Sequence, residues 1–498
     1  MPSDDRLRKL QVICASFWCL LSAGIIFGFA AFKIVLIEEG VYSDLCSDPH
    51  VPGEKACVKQ DLKLNYMFTV SAGLTNVMAL PVGYILDHYG PRISGFIGSI
   101  GISMGALFFI FAKRLYPVID PYLIGYMFLA AGGPFVFISC FQLANSFPAK
   151  SGAILAVLTG AFDTSSALFL GYRLFYQKIS TSLTLGKFFT LYLTVPAFIF
   201  ICQCTIMPSS SYKSVAAVAR TAVEGLNEEG QFIDGNRDAA ILPDDEEERQ
   251  FLLASNSRGE RRISVSGRRV SVLEAYAEGR LEEKSGGLFG ILHDQPALTQ
   301  IKTPWFYLML IFAALAMLRV NYFIATIRTQ EEYLLGDIKA AIRINGIFDI
   351  LLPLGGVISI PFIGIILDHF QSLTTLALLA NLSVVIGLFG LVKHSFLANL
   401  IGIVLFVVYR PFYYTVVSDY CSKVFGFQTF GTIYGLLTCL CGIFNLAQSK
   451  LDAYTHTTFK MNPGPINAIL VTLTIISTAS LIQYIRIQLR LRQHGNTN

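Results

Sequence analysis

Four ionisable residues lie near the middle of long apolar stretches, where a charge is costly to bury. They are Asp163, Arg319, Asp349 and Arg410. At membrane depth such groups usually face a water-filled cavity or a partner of opposite charge. A guanidinium can hold a carboxylate through two parallel hydrogen bonds, so both arginines are candidates for binding an anionic group. The alternative is a structural ion pair with Asp163 or Asp349. For Asp163 that structural role leads over binding an amine or cycling a proton.

Two further side chains accompany these charges. Asn321 follows Arg319 by two residues and lies near the same depth, which makes it a candidate for contact with a bound solute. Hydrogen bonding between helices is the alternative for this amide. Phe27 precedes Gly28 in the first apolar stretch, and an aromatic ring beside a glycine can line an apolar pocket. Simple packing is the alternative for Phe27.

The composition shows which elements must position these residues. Of the 498 residues, 53% are hydrophobic and only 14% are charged, whereas soluble domains carry roughly 25% charged residues. The net charge of +4 gives no reason to expect a polyanionic partner. These values exclude a soluble enzyme, a nucleic-acid-binding protein and a disordered protein. They predict a chain that crosses a lipid bilayer many times.

Twelve stretches are long and apolar enough to cross a bilayer as helices. They cover roughly residues 11–36, 63–86, 93–112, 121–144, 151–174, 187–207, 304–327, 343–366, 373–392, 396–418, 428–448 and 465–487. Continuous apolar runs of this length exclude the alternating strands of a β-barrel, so we predict an all-α membrane protein. Six stretches lie in residues 1–208 and six in residues 304–498, which predicts two six-helix halves.

An internal repeat supports this division. The string Gly-x-Ile-Leu-Asp-His followed by an aromatic residue begins at Gly83 and again at Gly364. Each copy leaves the second helix of its half, so its acid, Asp87 or Asp368, occupies an equivalent position. A chance match at equivalent positions is much less expected than a duplication of one six-helix unit.

Residues 209–303 form a polar insert that holds 28 of the 72 charged residues. Blocks of charge with few aromatic residues are typical of disordered segments, and we predict disorder for this insert. Two Arg-Arg-x-Ser strings end at Ser264 and Ser271. Arginines placed before a serine match the acidic substrate groove of a basophilic kinase, which is a possible partner of the insert.

A second motif in the insert bears on location. Glu248 with Leu252 and Leu253 matches an acidic dileucine sorting signal, which would bind a sorting adaptor. It favours a vacuolar or lysosomal membrane over the plasma membrane or another organelle. Lysine and arginine cluster at both termini and in the insert, so the positive-inside rule predicts that all three are cytosolic.

The cysteines divide into two groups. Eight lie in apolar stretches and are interpreted as small apolar filler. Cys46 and Cys57 lie in the acidic loop after the first stretch, which the orientation places outside the cytosol. Because disulfides persist in oxidising compartments, we predict that these two cysteines are bonded to each other.

Motifs for catalysis are absent from the sequence. The helices carry no His-Glu-x-x-His or Ser–His arrangement, and no Gly-x-x-x-x-Gly-Lys-Ser/Thr string for ATP occurs. The closely spaced cysteines lack metal-binding spacing and histidine partners. We therefore predict no enzyme, no cofactor and no metal site.

The loop after the second stretch resembles the signature loop of the major facilitator superfamily. Here it reads Gly83-x-x-x-Asp87-x-x-Gly90-x-Arg92. Over residues 38–92 the chain is further similar to the large-neutral-amino-acid facilitator branch (solute carrier family 43), above all to its fungal members. Scattered matches elsewhere are Leu318-Arg319 with Tyr322, Arg410 with Phe412 and Tyr414, and Phe430-Gly431-x-x-Tyr434-Gly435.

This resemblance implies a gate. In the superfamily the acid at Asp87 faces a helix N-terminus and a basic partner when the cytosolic side is shut. Such a contact breaks when the two halves rock. Gly83, Gly90 and Arg92 belong to the same loop, and Asp368 is the weaker twin because no Gly-x-Arg follows it. Solvated loop charges are the alternative.

The resemblance also implies a function, namely a facilitator that moves a small polar solute by alternating access. Neutral amino acids are the leading substrates, and nucleobases are the runner-up because a sister group in the branch handles them. Two variants stay open: proton coupling through Asp163, and a non-transporting nutrient receptor of the same fold. A disordered insert contributes no site residues, so removal of residues 215–285 is expected to leave transport intact.

Overall fold

The apolar stretches form long helices in the computed structural model, because backbone groups inside a bilayer must bond within their own segment. The structure describes residues 3–46, 57–147, 150–179, 181–208, 246–263, 269–293 and 295–495. Within them, eleven helices are long and apolar enough to span a membrane. A bent pair, Arg6–Ala23 with Ile25–Glu38, makes a twelfth span. The predicted all-α membrane protein with twelve spans is confirmed.

The N-terminal half contains the first six spans. Its α-helices are Ser3–Trp18, Phe29–Glu38, Val58–Tyr89, Pro91–Ile110, Ala112–Leu115, Pro121–Ile138, Ser151–Thr164, Ala167–Lys178, Leu185–Tyr192 and Thr194–Thr205. A π-helical turn at Cys19–Ala23 and 3-10 turns at Ile25–Gly28, Ser43–Leu45 and Phe141–Ser146 complete it. In chain order the spans are residues 3–38, 58–89, 91–110, 121–146, 151–178 and 185–205.

The C-terminal half contains spans seven to twelve. Its α-helices are Pro304–Leu335, Ile338–His369, Ser372–Phe389, Phe396–Phe425, Phe430–Phe444, Ala447–Thr457 and Gly464–Gly495. The eleventh span is the consecutive pair Phe430–Phe444 and Ala447–Thr457, and each other span is one helix. We call the end of the bundle that carries both chain termini the terminal face, and the opposite end the distal face.

The two halves meet along two helix pairs, the second span with the eleventh and the fifth with the eighth. Glycines let these helices approach closely, as is usual where membrane helices pack. A Cβ added at Gly83 would collide with the carbonyl oxygen of Gly431, and one added at Gly160 would collide with that of Gly356. The Gly83 contact lies in the terminal part of the interface, and the Gly160 contact lies near its middle.

The same helices separate toward the distal face. A Cβ added at Gly73 in the second span, at Gly171 in the fifth or at Gly346 in the eighth would meet nothing within 4 Å. The interface between the halves is therefore closed at the terminal face and open at the distal face.

The insert differs from the predicted disorder. Glu246–Ser257, Val272–Ser285 and Ala297–Ile301 are helices, and strand Arg261–Ile263 pairs antiparallel with strand Arg269–Ser271. Scattered apolar residues supply a core that the charge pattern hides. The buried ones include Leu252, Val272, Leu273, Ala277, Leu288, Phe289 and Leu292. The structure thus has helices and strands in part of the insert for which the charge pattern predicts disorder. Residues 209–245, 264–268 and 294 lie outside the described residues.

At the distal face a disulfide joins Cys46 to Cys57, whose Cα atoms are 5.9 Å apart. The pairing is the one that the sequence predicts. The other eight cysteines are free, and Cys204 is the exposed one among them. A covalent bond at this position holds the end of the loop beside the start of the second span.

Candidate binding site and gates

The first span breaks at its centre, and Phe27 follows the break. A π-helical turn at Cys19–Ala23 gives way at Gly24 to a 3-10 turn at Ile25–Gly28, and the two parts of the span meet at 44°. The Gly24 amide donates to the Ser165 hydroxyl, 2.9 Å away, instead of continuing the helix. In transporters, discontinuous helices of this kind form binding sites near the middle of the membrane.

A buried ion pair joins the two halves beside this break. The Arg410 guanidinium lies 3.5 Å from Asp163, and only 6% and 2% of the two side chains are exposed. The same guanidinium lies over the Phe27 ring, 5.9 Å from its centre. Arg410 Nε and both carboxylate oxygens of Asp163 have no hydrogen-bond partner among the described residues. The pair is therefore close but incompletely bonded, which is costly for buried charges.

A cavity of about 590 Å³, mouth included, lies between the two halves. Arg410 and Asp163 do not line it themselves, but Phe27, which lies under the Arg410 guanidinium, does. The cavity walls are mainly aromatic and aliphatic, with a few hydroxyl and amide groups, as in many small-molecule sites. Both halves contribute to the lining, which includes Phe27, Asn76, Phe137, Phe162, Tyr414 and Tyr434. A small solute with one apolar part and a few polar groups matches these walls.

Arg319 does not line this cavity. Its Nη1 donates to the Ser383 hydroxyl, 2.6 Å away in the ninth span of the same half. The other end of its guanidinium lies against Gly387, one turn farther along that span. Asn321, half-buried on the same helix as Arg319, does not line the cavity either. Of the two predicted arginines, only Arg410 is seen at the interface between the halves.

Asp349 pairs with neither of these arginines in the described structure. It accepts a hydrogen bond from Asn345 Nδ2, 3.3 Å away and one turn earlier in the eighth span. It is exposed in the distal part of that span. The structural ion pair considered from the sequence therefore involves Asp163 and Arg410.

Asp87 bridges the two halves at the terminal face. Its carboxylate accepts hydrogen bonds from the amides of Gly431 and Thr432, at 3.0 and 2.6 Å, in the first turn of the eleventh span. First-turn amides have no partner within their helix and carry partial positive charge, so they bind an anion favourably. The contact holds the second span to the eleventh for as long as the terminal face stays closed.

The other residues of the signature loop shape this contact. Gly83 lets the second span pass directly against Gly431. Gly90 has a φ of 85°, a conformation that favours glycine, and turns the chain between the second and third spans. Arg92 Nε donates to the carbonyl oxygen of Met207, 3.1 Å away at the end of the sixth span. Arg92 thus ties the loop to its own half.

Asp368 makes the twin contact in the other half. It accepts hydrogen bonds from the amides of Gly152 and Ala153, at 2.9 and 3.2 Å, at the start of the fifth span. Its own loop supplies no arginine, but Lys284 of the insert lies 3.8 Å away. The internal repeat therefore produces two matching acid–helix contacts at one face of the bundle.

The sequence does not single out several residues that lie at the interface between the halves. The hydroxyls of Thr159 and Thr415 lie 2.6 Å apart across the two halves, and Asn76 lines the cavity. These residue types are ordinary on membrane helices and give no signal of their own. Tyr414 and Tyr434 occur in strings that carry the family resemblance, which is a usable signal although it assigns no role.

The structure describes one of the two predicted phosphorylation sites, Ser271. Ser264 lies outside the described residues. The Ser271 hydroxyl accepts a hydrogen bond from the Glu274 amide, 3.2 Å away, and so caps the helix Val272–Ser285. Phosphorylation there would change the charge at the start of that helix.

The predicted sorting signal lies in the helix Glu246–Ser257. Glu248 is exposed and Leu253 is half-buried, but Leu252 is only 3% exposed. A sorting adaptor needs both leucines, so it could bind only after this helix moves. The geometry as described weakens the sorting interpretation.

Comparison with known proteins identifies proteins of similar sequence and solved structures of similar fold. No family model matches the chain. It is 61% identical to protein FMP42 of Saccharomyces cerevisiae over 489 residues, which cover 98% of this chain and 97% of that protein. It is 27% identical to equilibrative nucleobase transporter 1 of Bos taurus over 34% of this chain and 36% of that protein.

Two further comparisons are more distant. The chain is 28% identical to large neutral amino acids transporter small subunit 3 of Mus musculus, over 32% of this chain and 30% of that protein. Its fold is similar to that of the major facilitator superfamily proton:xylose symporter XylE, with a TM-score of 0.58, 11% identity and 96% of each chain covered. The two six-helix halves follow the arrangement of that fold.

Proposed function

Because the chain belongs to the same family as protein FMP42 of Saccharomyces cerevisiae and has the fold of the major facilitator superfamily, we propose that it moves a small solute across a membrane by alternating access. The closed terminal face and the open distal face support this proposal. So do the two acid–helix contacts, because Asp87 and Asp368 can each leave a helix end without unfolding either half. Transport, and not catalysis, is the activity we propose.

We propose that the substrate is a neutral amino acid, bound at the pair of Arg410 and Asp163, whose side chains must separate to admit it. One observation carries this choice: two opposite charges face each other across the halves, buried and incompletely bonded. An amino-acid zwitterion has a carboxylate for the guanidinium and an ammonium for the carboxylate, and it would supply the missing hydrogen bonds. The aromatic wall around Phe27 and Phe162 suits an uncharged side chain.

A nucleobase is the second candidate. Aromatic rings in the cavity could stack on a flat base, and the Asn76 amide could bond to its edge. A relative that matches a third of the chain is named a nucleobase transporter. A nucleobase has no carboxylate for Arg410, so the two substrates predict different effects of changing that residue.

A non-transporting nutrient receptor of the same fold is a third reading. It would bind the solute at the same site without moving it. Uptake into sealed vesicles separates it from a transporter, because binding alone fills no internal volume.

The experiment compares Arg410→Lys with Arg319→Lys in proteoliposomes. A lysine keeps the charge but cannot reproduce the two-pronged contact with a carboxylate. We expect Arg410→Lys to weaken the affinity for leucine by roughly ten- to a hundred-fold, from the loss of one charge-assisted hydrogen bond. Arg319→Lys should change that affinity little, because Arg319 bonds to Ser383 within its own half. The measurement is the concentration dependence of labelled leucine uptake, with adenine as the second solute.

The outcomes separate the substrates. Native affinity for leucine in Arg410→Lys, at normal expression, would show that Arg410 only pairs with Asp163. The amino-acid proposal would then fail. Adenine uptake that is retained in both variants, with no leucine uptake in the native protein, would favour the nucleobase.

The proposal also states which face of the protein is cytosolic and which membrane contains it. We propose that the terminal face is cytosolic, because Arg6, Arg8 and Lys9 lie at the N-terminus and basic residues recur at the C-terminus. A vacuolar or lysosomal membrane, and a kinase or adaptor acting on the insert, are proposed from the insert motifs alone. The plasma membrane or another organelle is the alternative, and the burial of Leu252 counts against the dileucine motif.

A further inference from the structure

The insert contains a segment that lies across the terminal face. We call residues 272–293 and 295–303 the cap segment; they comprise the helix Val272–Ser285 and the chain that leads into the seventh span. The segment is bonded to the C-terminal half at several points. The Gly290 amide donates to the Lys423 carbonyl at 3.2 Å, and the Leu292 amide donates to the Val424 carbonyl at 3.0 Å. These bonds attach the cap segment to the C-terminal half, so we expect the two to move together.

The helix of the cap segment is also tied to the last span. Arg492 lies 3.5 Å from Glu282, and its Nη1 donates to the Gly287 carbonyl at 3.2 Å. These bonds fix the end of the helix, where Lys284 and Ser285 point toward the bundle. Arg492 thus holds the chain on both sides of Lys284, at Glu282 and at Gly287, and so fixes the position of Lys284 relative to the C-terminal half.

The other side of the cap segment faces the N-terminal half. Leu281, Lys284 and Phe289 line a cavity at the terminal face, of about 920 Å³ with its mouth included. The opposite wall includes Asn145 of the fourth span and Leu155 of the fifth. A segment held by one half thus covers the gap through which a solute would leave between the halves.

Lys284 connects this cover to the gate. Its ammonium lies 3.8 Å from Asp368, the acid that accepts the amides of Gly152 and Ala153 across the interface. Burial lowers the pKa of Lys284, and the charge of Asp368 opposes that shift. The positive charge of Lys284 attracts the same carboxylate that binds the helix end, so both contacts converge on Asp368.

We propose that the cap segment is an intrachain brake on the opening of the terminal face, and that Lys284 couples it to Asp368. When the halves rock apart at this face, the fifth span moves away from Asp368 and the cavity wall moves away from Leu281 and Phe289. The brake holds the protein with its distal face open until both contacts release. Removal of residues 215–285, which a disordered insert would tolerate, is therefore expected to change the rate of opening.

The test measures access to the terminal cavity directly. Ser418 lines that cavity and is fully buried, so a cysteine there reports when the face opens. We would place Ser418→Cys in the full chain, expose the purified protein to a bulky maleimide and follow labelling of position 418 by peptide mass spectrometry. Lys284→Gln removes the coupling charge, and Phe289→Ala removes an apolar contact of the cover.

The matched control is Arg280→Gln on the same helix, because Arg280 is 57% exposed and pairs with Glu283 on the surface. We expect labelling about two- to five-fold faster in Lys284→Gln, as for a partly exposed ion pair, and a change at least as large in Phe289→Ala. Arg280→Gln should label at the native rate. Unchanged labelling in both Lys284→Gln and Phe289→Ala would overturn the proposal.

This inference rests on the proposed alternating-access mechanism but not on the substrate. Labelling is measured without any solute, so a wrong substrate assignment leaves the result intact. Conversely, if the brake is absent, the leucine experiment with Arg410→Lys is unaffected.

Discussion

At the scale of single residues, the pair of Arg410 and Asp163 poses the main energetic question. Two charges buried between the halves each lose hydration worth several kcal/mol, and attraction at 3.5 Å offsets only part of that loss. The unbonded Nε and carboxylate oxygens leave the remainder uncompensated. A zwitterion that completed these bonds would stabilise the site, and the cost of burying the pair would then favour binding of that solute.

The prediction at this scale concerns Asp163. Asp163→Asn keeps the size of the side chain and removes the charge that would hold an ammonium. We expect the affinity for neutral amino acids to fall by roughly ten- to a hundred-fold, because a charge-assisted hydrogen bond is lost. The measurement is leucine uptake into proteoliposomes at several external pH values.

Asp349→Asn is the matched control, since Asp349 is exposed in the distal part of the eighth span. It should keep near-native affinity. If Asp163→Asn instead keeps its leucine affinity and abolishes a pH dependence that the native protein shows, Asp163 carries a proton and does not bind the amine.

At the scale of helices, the spacing of glycines decides where the halves touch. The second span contains both kinds of position: at Gly83 an added Cβ would collide with Gly431, whereas at Gly73 it would meet nothing within 4 Å. One helix is therefore tightly packed at its terminal end and free at its distal end. This gradient is the one that the proposed rocking of the halves about the middle of the interface requires.

This gradient predicts opposite effects of one substitution at two sites. Gly83→Ala should lower the melting temperature of the purified protein by a few degrees, because overpacking costs about 1–3 kcal/mol. Gly73→Ala should be neutral or slightly stabilising, because alanine is favoured over glycine in a helix by about 1 kcal/mol. Thermal unfolding in detergent measures both, and equal melting temperatures for the two variants would contradict this packing.

Sequence patterns predict the helices far better than the direction of their side chains. The predicted third stretch, roughly 93–112, appears as Pro91–Ile110, because a bilayer sets the length of an apolar helix. Arg319 and Arg410 look equivalent in the sequence, yet they point to different places. A helix that is apolar on all sides carries no periodic signal that fixes its rotation, so the choice between them needed the packed structure.

The break at Gly24 and the folded part of the insert escaped prediction for related reasons. The break depends on a hydroxyl of the fifth span, Ser165, which the first span cannot reveal by itself. The cap segment owes its order to contacts with the bundle, such as the bond from Leu292 to Val424. Composition averaged over the insert reports its charges and hides these few apolar residues.

At the scale of the whole molecule, the duplication gives two halves with matching contacts at one face. Asp87 binds the start of the eleventh span and Asp368 binds the start of the fifth. Because each acid binds a helix of the other half, both contacts must break together when the terminal face opens. The pair of Arg410 and Asp163 lies between the halves, so a solute bound there would be exposed to each side in turn.

The most direct test of this account is counterflow by the purified protein. Proteoliposomes are loaded with unlabelled leucine and diluted into a trace of labelled leucine, so that any exchange through an alternating site concentrates the label transiently inside. We predict such an overshoot for the native protein and its loss in Arg410→Ala, with protein-free liposomes as the baseline. Two results would contradict the central claim: an overshoot with adenine but none with leucine, or no overshoot with either solute in the native protein.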